Sequence, residues 1–266
     1  MMSLVFIRLL FSSLFWISPP GEPTLLKHID GKVNFMTSDE LQNLYLVKND
    51  ILEKYDANGK MLFSYSLSTL GNIDFVDAVD PMKPLVFYKT YASFVILDNT
   101  LTPSIDPISL EKYSLEQVNL VCTSYDRGFW CYNPANMELL HLNVDDLAQN
   151  KNSGNIGQLL HEAIHPNYLT EQNNKVFLND PDVGILVFDI YGAYYKTIPI
   201  KGLSRFQING DRVIYFSGHK IMTYNFKTLI ENTLSIPDST TSAVRVEKER
   251  LFTLNDKGVD IYSVKP

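Results

Sequence analysis

Residues 161–165 read His161-Glu162-Ala163-Ile164-His165. On a helix, this spacing places two imidazoles one turn apart, ready to bind zinc, with the glutamate as general base of a peptidase. The next residue opposes that reading. Pro166 pushes the residue before it out of helical geometry. A catalytic zinc also needs a third protein ligand and a supporting second shell, yet residues 167–171 read as the opening strand of a new repeat. Taken as a strand, the segment sets both histidines half-exposed on one face. The expectation is no metal centre, with His161, Glu162 and His165 as the zinc alternative.

Three aspartates, Asp74, Asp77 and Asp80, recur at intervals of three. They lack the central Gly and terminal Glu of a calcium loop, and on a strand Asp77 faces away from the other two. They are expected to line a channel or end a strand. Nucleophile and phosphate motifs are missing from the sequence: there is no G-x-S-x-G, no G-x-x-x-x-G-K-[ST] and no G-x-G-x-x-G. No catalytic or cofactor-binding residue is therefore assigned, and no cofactor is expected. Trp130, Tyr125, Tyr191, Tyr194 and Tyr195 sit at or beside turns, where they would stack on a sugar, anchor a protein, or simply cover strand edges. Cys122 and Cys131 flank a turn at 124–128. With Asp126 and Arg127 as the loop they would face each other and form a disulfide in an oxidising compartment; two free core thiols are the other reading.

The elements that would position these residues repeat. Six short apolar strands close on Tyr55-Asp56, Leu97-Asp98, Leu142-Asn143, Phe188-Asp189, Tyr224-Asn225 and Tyr262-Ser263. The closing positions are separated by 42, 45, 46, 36 and 38 residues, and a period near 40 is that of a four-stranded propeller blade. The closing Asp and Asn are read as turn formers, because a group needed at every repeat is structural rather than catalytic. Asn, Asp and Gly clusters separate the apolar runs, and no long helical period intervenes. The last repeat holds three strand segments only, whereas an orphan segment at 24–30 precedes the first. Docking it onto the last blade would complete four strands and remove an open edge. The fold expected is all-β: a six-bladed β-propeller of four-stranded antiparallel blades, closed by its N-terminal strand. The rival is a β-sandwich with a small second domain. Asn, Ser and Gly at 145–157 predict a solvated loop on the edge of the third blade, and Pro103 and Pro107 predict a blunted outer strand in the second.

The formal charge of −7 across 266 residues, without a Lys/Arg run, argues against a nucleic-acid partner. Residues 1–20 differ from the rest: Arg8 precedes an apolar stretch ending at Ser18, Pro19 and Pro20. That layout predicts a cleaved secretory signal, its core too short to cross a bilayer. Residues 21–266 then form a single propeller domain. No later segment approaches membrane-spanning length, so the mature chain is expected to be soluble and exported, periplasmic or extracellular.

The run from Asp182 through Gly184, Phe188-Asp189 and Gly192, like Tyr55-Asp56-Ala57-Asn58-Gly59-Lys60, resembles blades of the NHL-like and PQQ-like propeller superfamilies. There an apolar strand ends in Asp and a Gly-containing turn follows. The chain lacks a Trp-Asp ending, a tryptophan-docking consensus and a quinone-binding set, so no functional residue is carried over. The resemblance implies a non-catalytic binding or assembly module of the cell envelope, using one ring face for a protein or glycan partner. The alternative is a hydrolase or lyase at the channel mouth, acting on a carbohydrate or peptide.

Overall fold

A computed structural model describes residues 22–145 and 149–264, the side chains of 149 and 150 excepted. The expected leader, residues 1–20, lies outside the described residues. Strand β1 (Thr24–Asp30) comes first. Blade 1 holds β2 (Phe35–Ser38), β3 (Leu44–Lys48), β4 (Ile51–Tyr55) and β5 (Met61–Tyr65). Blade 2 holds β6 (Phe75–Asp77), β7 (Leu85–Tyr88), β8 (Ser93–Ile96) and β9 (Ile108–Ser109). Blade 3 holds β10 (Leu120–Thr123), β11 (Gly128–Asn133), β12 (Glu138–Asn143) and β13 (Gln149–Asn152). A short helix, α1 (Ile156–Leu160), leads to blade 4: β14 (Tyr168–Gln172), β15 (Lys175–Asp180), β16 (Gly184–Asp189) and β17 (Tyr194–Ile198). Blade 5 holds β18 (Gln207–Asn209), β19 (Arg212–Ser217), β20 (Lys220–Asn225) and β21 (Glu231–Ser235). Blade 6 has β22 (Ala243–Glu247), β23 (Arg250–Leu254) and β24 (Gly258–Ser263). All six sheets are antiparallel and four-stranded, and β1 supplies the fourth strand of blade 6 beside β24. The molecule is a six-bladed β-propeller.

Local chemistry sets the turns. Asn49 and Asp50 take φ of 48° and 64°, the left-handed pair that a two-residue hairpin requires. The blade-closing residues act as the repeat implies. Asp56 Oδ1 accepts from the amides of Asn58 and Lys60, and Asp189 Oδ1 from those of Tyr191 and Ala193. Asp98, Asn143 and Asn225 do the same in their blades. Ser263 needs no such turn, because the strand beside β24 comes from the other end of the chain.

Each blade buries both faces against its neighbours, so the core is six apolar seams around a ring. Tyr45, Val86 and Tyr88 fill the seam of blades 1 and 2; Phe87, Phe94 and Phe129 the next; Trp130, Leu178 and Phe188 the third. Phe177, Val187 and Phe206 join blades 4 and 5, and Leu44, Phe252 and Ile261 join blades 6 and 1. The seam between blades 5 and 6 is the thinnest, resting on Ile214, Ile221, Leu251 and Tyr262. Cationic side chains stitch one blade to the next through carbonyls: Lys54 to Asn99 at 2.9 Å, Lys196 to Phe226 at 2.8 Å and Arg250 to Ala57 at 2.8 Å. At the closure, β1 pairs from Thr24 opposite Ser263 to Asp30 opposite Gly258, with a bulge between Leu25 and Lys27, and His28 Nδ1 lies 2.6 Å from Asp260 Oδ1.

Two expectations change, and the cysteines take the second of their two readings. Residues 149–152, read as part of a loop, form the outer strand β13. The segment 161–165 is irregular rather than a strand, and both histidines are exposed. Cys122 and Cys131 are buried and free. Asp126 Oδ1 accepts from the Gly128 amide and lengthens the turn, so Cys122 pairs with Trp130 and Cys131 with Val121. A one-residue slip in register reverses the face, which sends the thiols into different seams and precludes a bridge. The blunted edge of blade 2 is present as the two-residue β9.

Candidate functional site

The six innermost strands run in one direction around the central channel. The rim where they begin is here the upper rim, and the rim where they end the lower. Alternation along a strand sends the first and third residues to the same side. First positions include Phe35, Phe75 and Tyr168, whose rings meet edge to face at 5.5 Å and 5.8 Å. Tyr168 then meets Phe206 at 5.1 Å. This aromatic chain closes the middle of the channel. Above it, the guanidinium of Arg205 lies 4.0 Å from the Phe35 ring centroid, a cation–π contact. The inner strand of blade 6 opens with the small Ala243, and a cavity of about 330 Å³ remains between blades 5, 6 and 1.

Below the aromatic chain, the lower mouth is a polar cavity of about 260 Å³ floored by Phe75 and Tyr168. Third-position residues Thr37, Asp77, Thr170, Asn209 and Arg245 line it, with Glu247 near the rim. Two of its acids, Asp77 and Glu247, and the nearby Glu171 bind neighbouring blades. Asp77 accepts from the amide and hydroxyl of Thr123 in blade 3, both at 2.8 Å. Glu171 accepts from Ser124 Oγ, the Tyr125 amide and Trp130 Nε1. Glu247 Oε1 accepts from Ser38 Oγ of blade 1 and Gln207 Nε2 of blade 5. Burial pushes the Asp77 carboxyl above the usual range against three hydrogen bonds that pull it down. Burial likewise lifts Glu247 to about 7.

The lower rim also carries exposed aromatics. Tyr125 projects from the β10–β11 loop and Tyr191 from the β16–β17 turn of the next blade. Lys151 sits between them, its Nζ 5.3 Å from the Tyr125 ring and 5.8 Å from the Tyr191 ring. Asp126 holds the same ammonium at 3.5 Å. Tyr125 is 56 % and Tyr191 69 % exposed, so the pair forms a shelf open to solvent.

The sequence candidates distribute as follows. His161 takes φ of 58° and caps the C-terminus of α1, so the helix ends where the zinc motif begins. Among the described residues, no group of three or more His, Cys, Asp or Glu could hold a metal ion. Asp77 ends β6 at the channel; Asp74 accepts the Lys89 amide, and Asp80 forms a turn with the Met82 amide. Trp130 is fully buried and is not a surface aromatic, while Tyr194 is half-buried against Phe188. Sequence reasoning missed Arg205, Arg245 and Glu247. Their signal was available: aligning the inner strands sets Arg245 against Thr37, Asp77 and Thr170, the one basic residue among them.

No family model matches the chain, and no curated protein sequence matches it. Solved structures do. A chain of a mitotic checkpoint complex superposes with a TM-score of 0.58 at 12% identity, over 99% of this chain and 85% of its own. Streptogramin B lyase gives 0.57 at 12% identity, covering 92% of this chain and 87% of its own. The Pan2 WD40 domain of Neurospora crassa gives 0.56 at 11% identity, covering 88% and 82%. Such identities establish the fold alone, a propeller consistent with a binding or assembly module. Among the described residues no helix is long and apolar enough to cross a membrane.

Proposed function

We propose that the chain is an exported binding module of the NHL-like or PQQ-like type, which docks a protein partner of the cell envelope on its lower rim. The observation that carries this is the Tyr125–Lys151–Tyr191 shelf, two solvent-facing rings on adjacent blades held by a shared ammonium. Rigid, amphipathic tyrosines beside a fixed charge make strong interface anchors at small entropic cost. Asp77 and Glu247 of the neighbouring mouth are occupied in joining blades, which supports a scaffold over a catalyst. The similar folds include a member of a multi-protein complex and a lyase, so the fold accommodates both roles.

Pull-down from the native envelope fraction tests this, with a glycan array alongside. The wild-type chain should retain a protein that the Tyr125→Ala/Tyr191→Ala double variant loses. Both residues are exposed, so stability should stay within about 0.5 kcal/mol of wild type. Equal capture by both chains, or capture of glycans alone, refutes the protein-docking surface.

One observation favours a second reading. A carboxyl near 7 in a channel mouth suits general acid–base chemistry, and Glu247 is such a group. A hydrolase or lyase built on it would turn over carbohydrate or peptide substrates and lose that turnover in Glu247→Gln.

A further inference from the structure

Two arginines meet the upper cavity, and among the described residues neither makes an ion pair. Arg245 is only 8 % exposed, and of its five N–H donors one finds an acceptor among the described residues: Nη1 to the Phe206 carbonyl, at a long 3.4 Å. Arg205 packs its guanidinium on Phe35 and makes no hydrogen bond or ion pair among the described residues. Among the described residues no carboxylate lies within ion-pair distance of either, and Glu247 feels the charge of Arg245 only at longer range. The acids in the neighbourhood are otherwise engaged: Asp74 accepts the Lys89 amide, and Glu247 serves Ser38 and Gln207. Burial and then the nearby charge of Arg245 bring Arg205 down to about 10, so the two cations feel each other. Arg245 is buried and Arg205 partly so, and like charges so placed are costly unless something else neutralises them.

Beside polar residues such as Asn34 and Gln207, the cavity that both arginines line has apolar surface from Phe35, Met36, Phe216 and Val244. Its volume, about 330 Å³, is at the lower end for small-molecule sites. It lies where blade 6 offers the small Ala243 and where the seam of blades 5 and 6 is thinnest. We propose that this upper cavity binds a small organic carboxylate, its carboxylate shared by Arg245 and Arg205 and its apolar body against Phe35, Met36 and Val244. The planar guanidinium fork matches a carboxylate, and the anion removes the repulsion between the two cations.

The test uses the full chain and three probes: phenylacetate, its neutral amide phenylacetamide, and inorganic phosphate, each followed by calorimetry and thermal melting. Phenylacetate should bind and raise the melting temperature, and the amide should do neither. Arg245→Met and Arg205→Met should each weaken phenylacetate about 10- to 100-fold, the worth of a lost charged hydrogen bond. In anion-free buffer, Arg245→Met should melt at or above the wild-type temperature, because it removes a buried charge that makes no ion pair. Equal binding of acid and amide, no binding of the acid, or phosphate binding as tight as phenylacetate overturns the assignment. So does an Arg245→Met chain that melts lower yet binds phenylacetate unchanged, since the arginine is then structural. Partner capture through Tyr125 and Tyr191, on the opposite rim, should be untouched by either arginine variant, so the two proposals fail separately.

Discussion

Glu247 couples the charge of the lower mouth to the stability of the ring. Burial dominates and raises its carboxyl from 4.5 to about 7, outweighing the Ser38 hydroxyl and the charge of Arg245. The folded chain therefore keeps a proton that the unfolded chain releases. That stabilising contribution is whole below about 4.5 and is lost as pH climbs through about 7, on the order of 3 kcal/mol in all. Glu247→Gln retains an acceptor for Ser38 and Gln207 and has no such proton. Urea denaturation between pH 4.5 and 8 should show wild-type stability falling relative to the variant; parallel curves would contradict the assignment. Residues like this one were illegible in the linear chain, because nothing in Arg245-Val246-Glu247 announces that three blades converge there. Asp77 was legible as a strand-ending or channel acid, since its position followed from alternation and turn chemistry alone.

Among the elements, β1 carries the ring closure, and Gly258 admits it. Gly258 has φ of +153°, and a β-carbon on it would run into the carbonyl of Ile29 on β1. Gly258→Ala should cost about 2–4 kcal/mol, from backbone strain and a displaced strand. The measurement is thermal unfolding together with trypsin cleavage at Lys27, which should quicken as β1 detaches. A variant as stable and as resistant as wild type would mean that closure tolerates a shifted β1. This pairing was readable in advance because a strand deficit at one end matched a surplus at the other. The register of β10 against β11 was not: it turned on one aspartate side chain, Asp126, and a single residue of turn length decided where both thiols went.

For the whole molecule, the seams set where it opens. Five are filled by aromatic and branched side chains, whereas blades 5 and 6 meet over four buried residues and a cavity. The outer strand β21 is exposed along its whole length. Hydrogen exchange should therefore be fastest among the strands in β21 and β22 and slowest in β3 and β15, whose side chains are largely buried. Uniform exchange around the ring would show that the seams do not differ in stability. By itself, the sequence determined the repeat, the places of most turns, the number of blades and the strand that closes them. Those follow from periodicity and short-range backbone chemistry, which are written along the chain. Only the tertiary structure decided which charges meet in the channel, which aromatics reach solvent and which seam is thin. Each of those depends on residues far apart in sequence converging on one axis, and no local pattern encodes that distance.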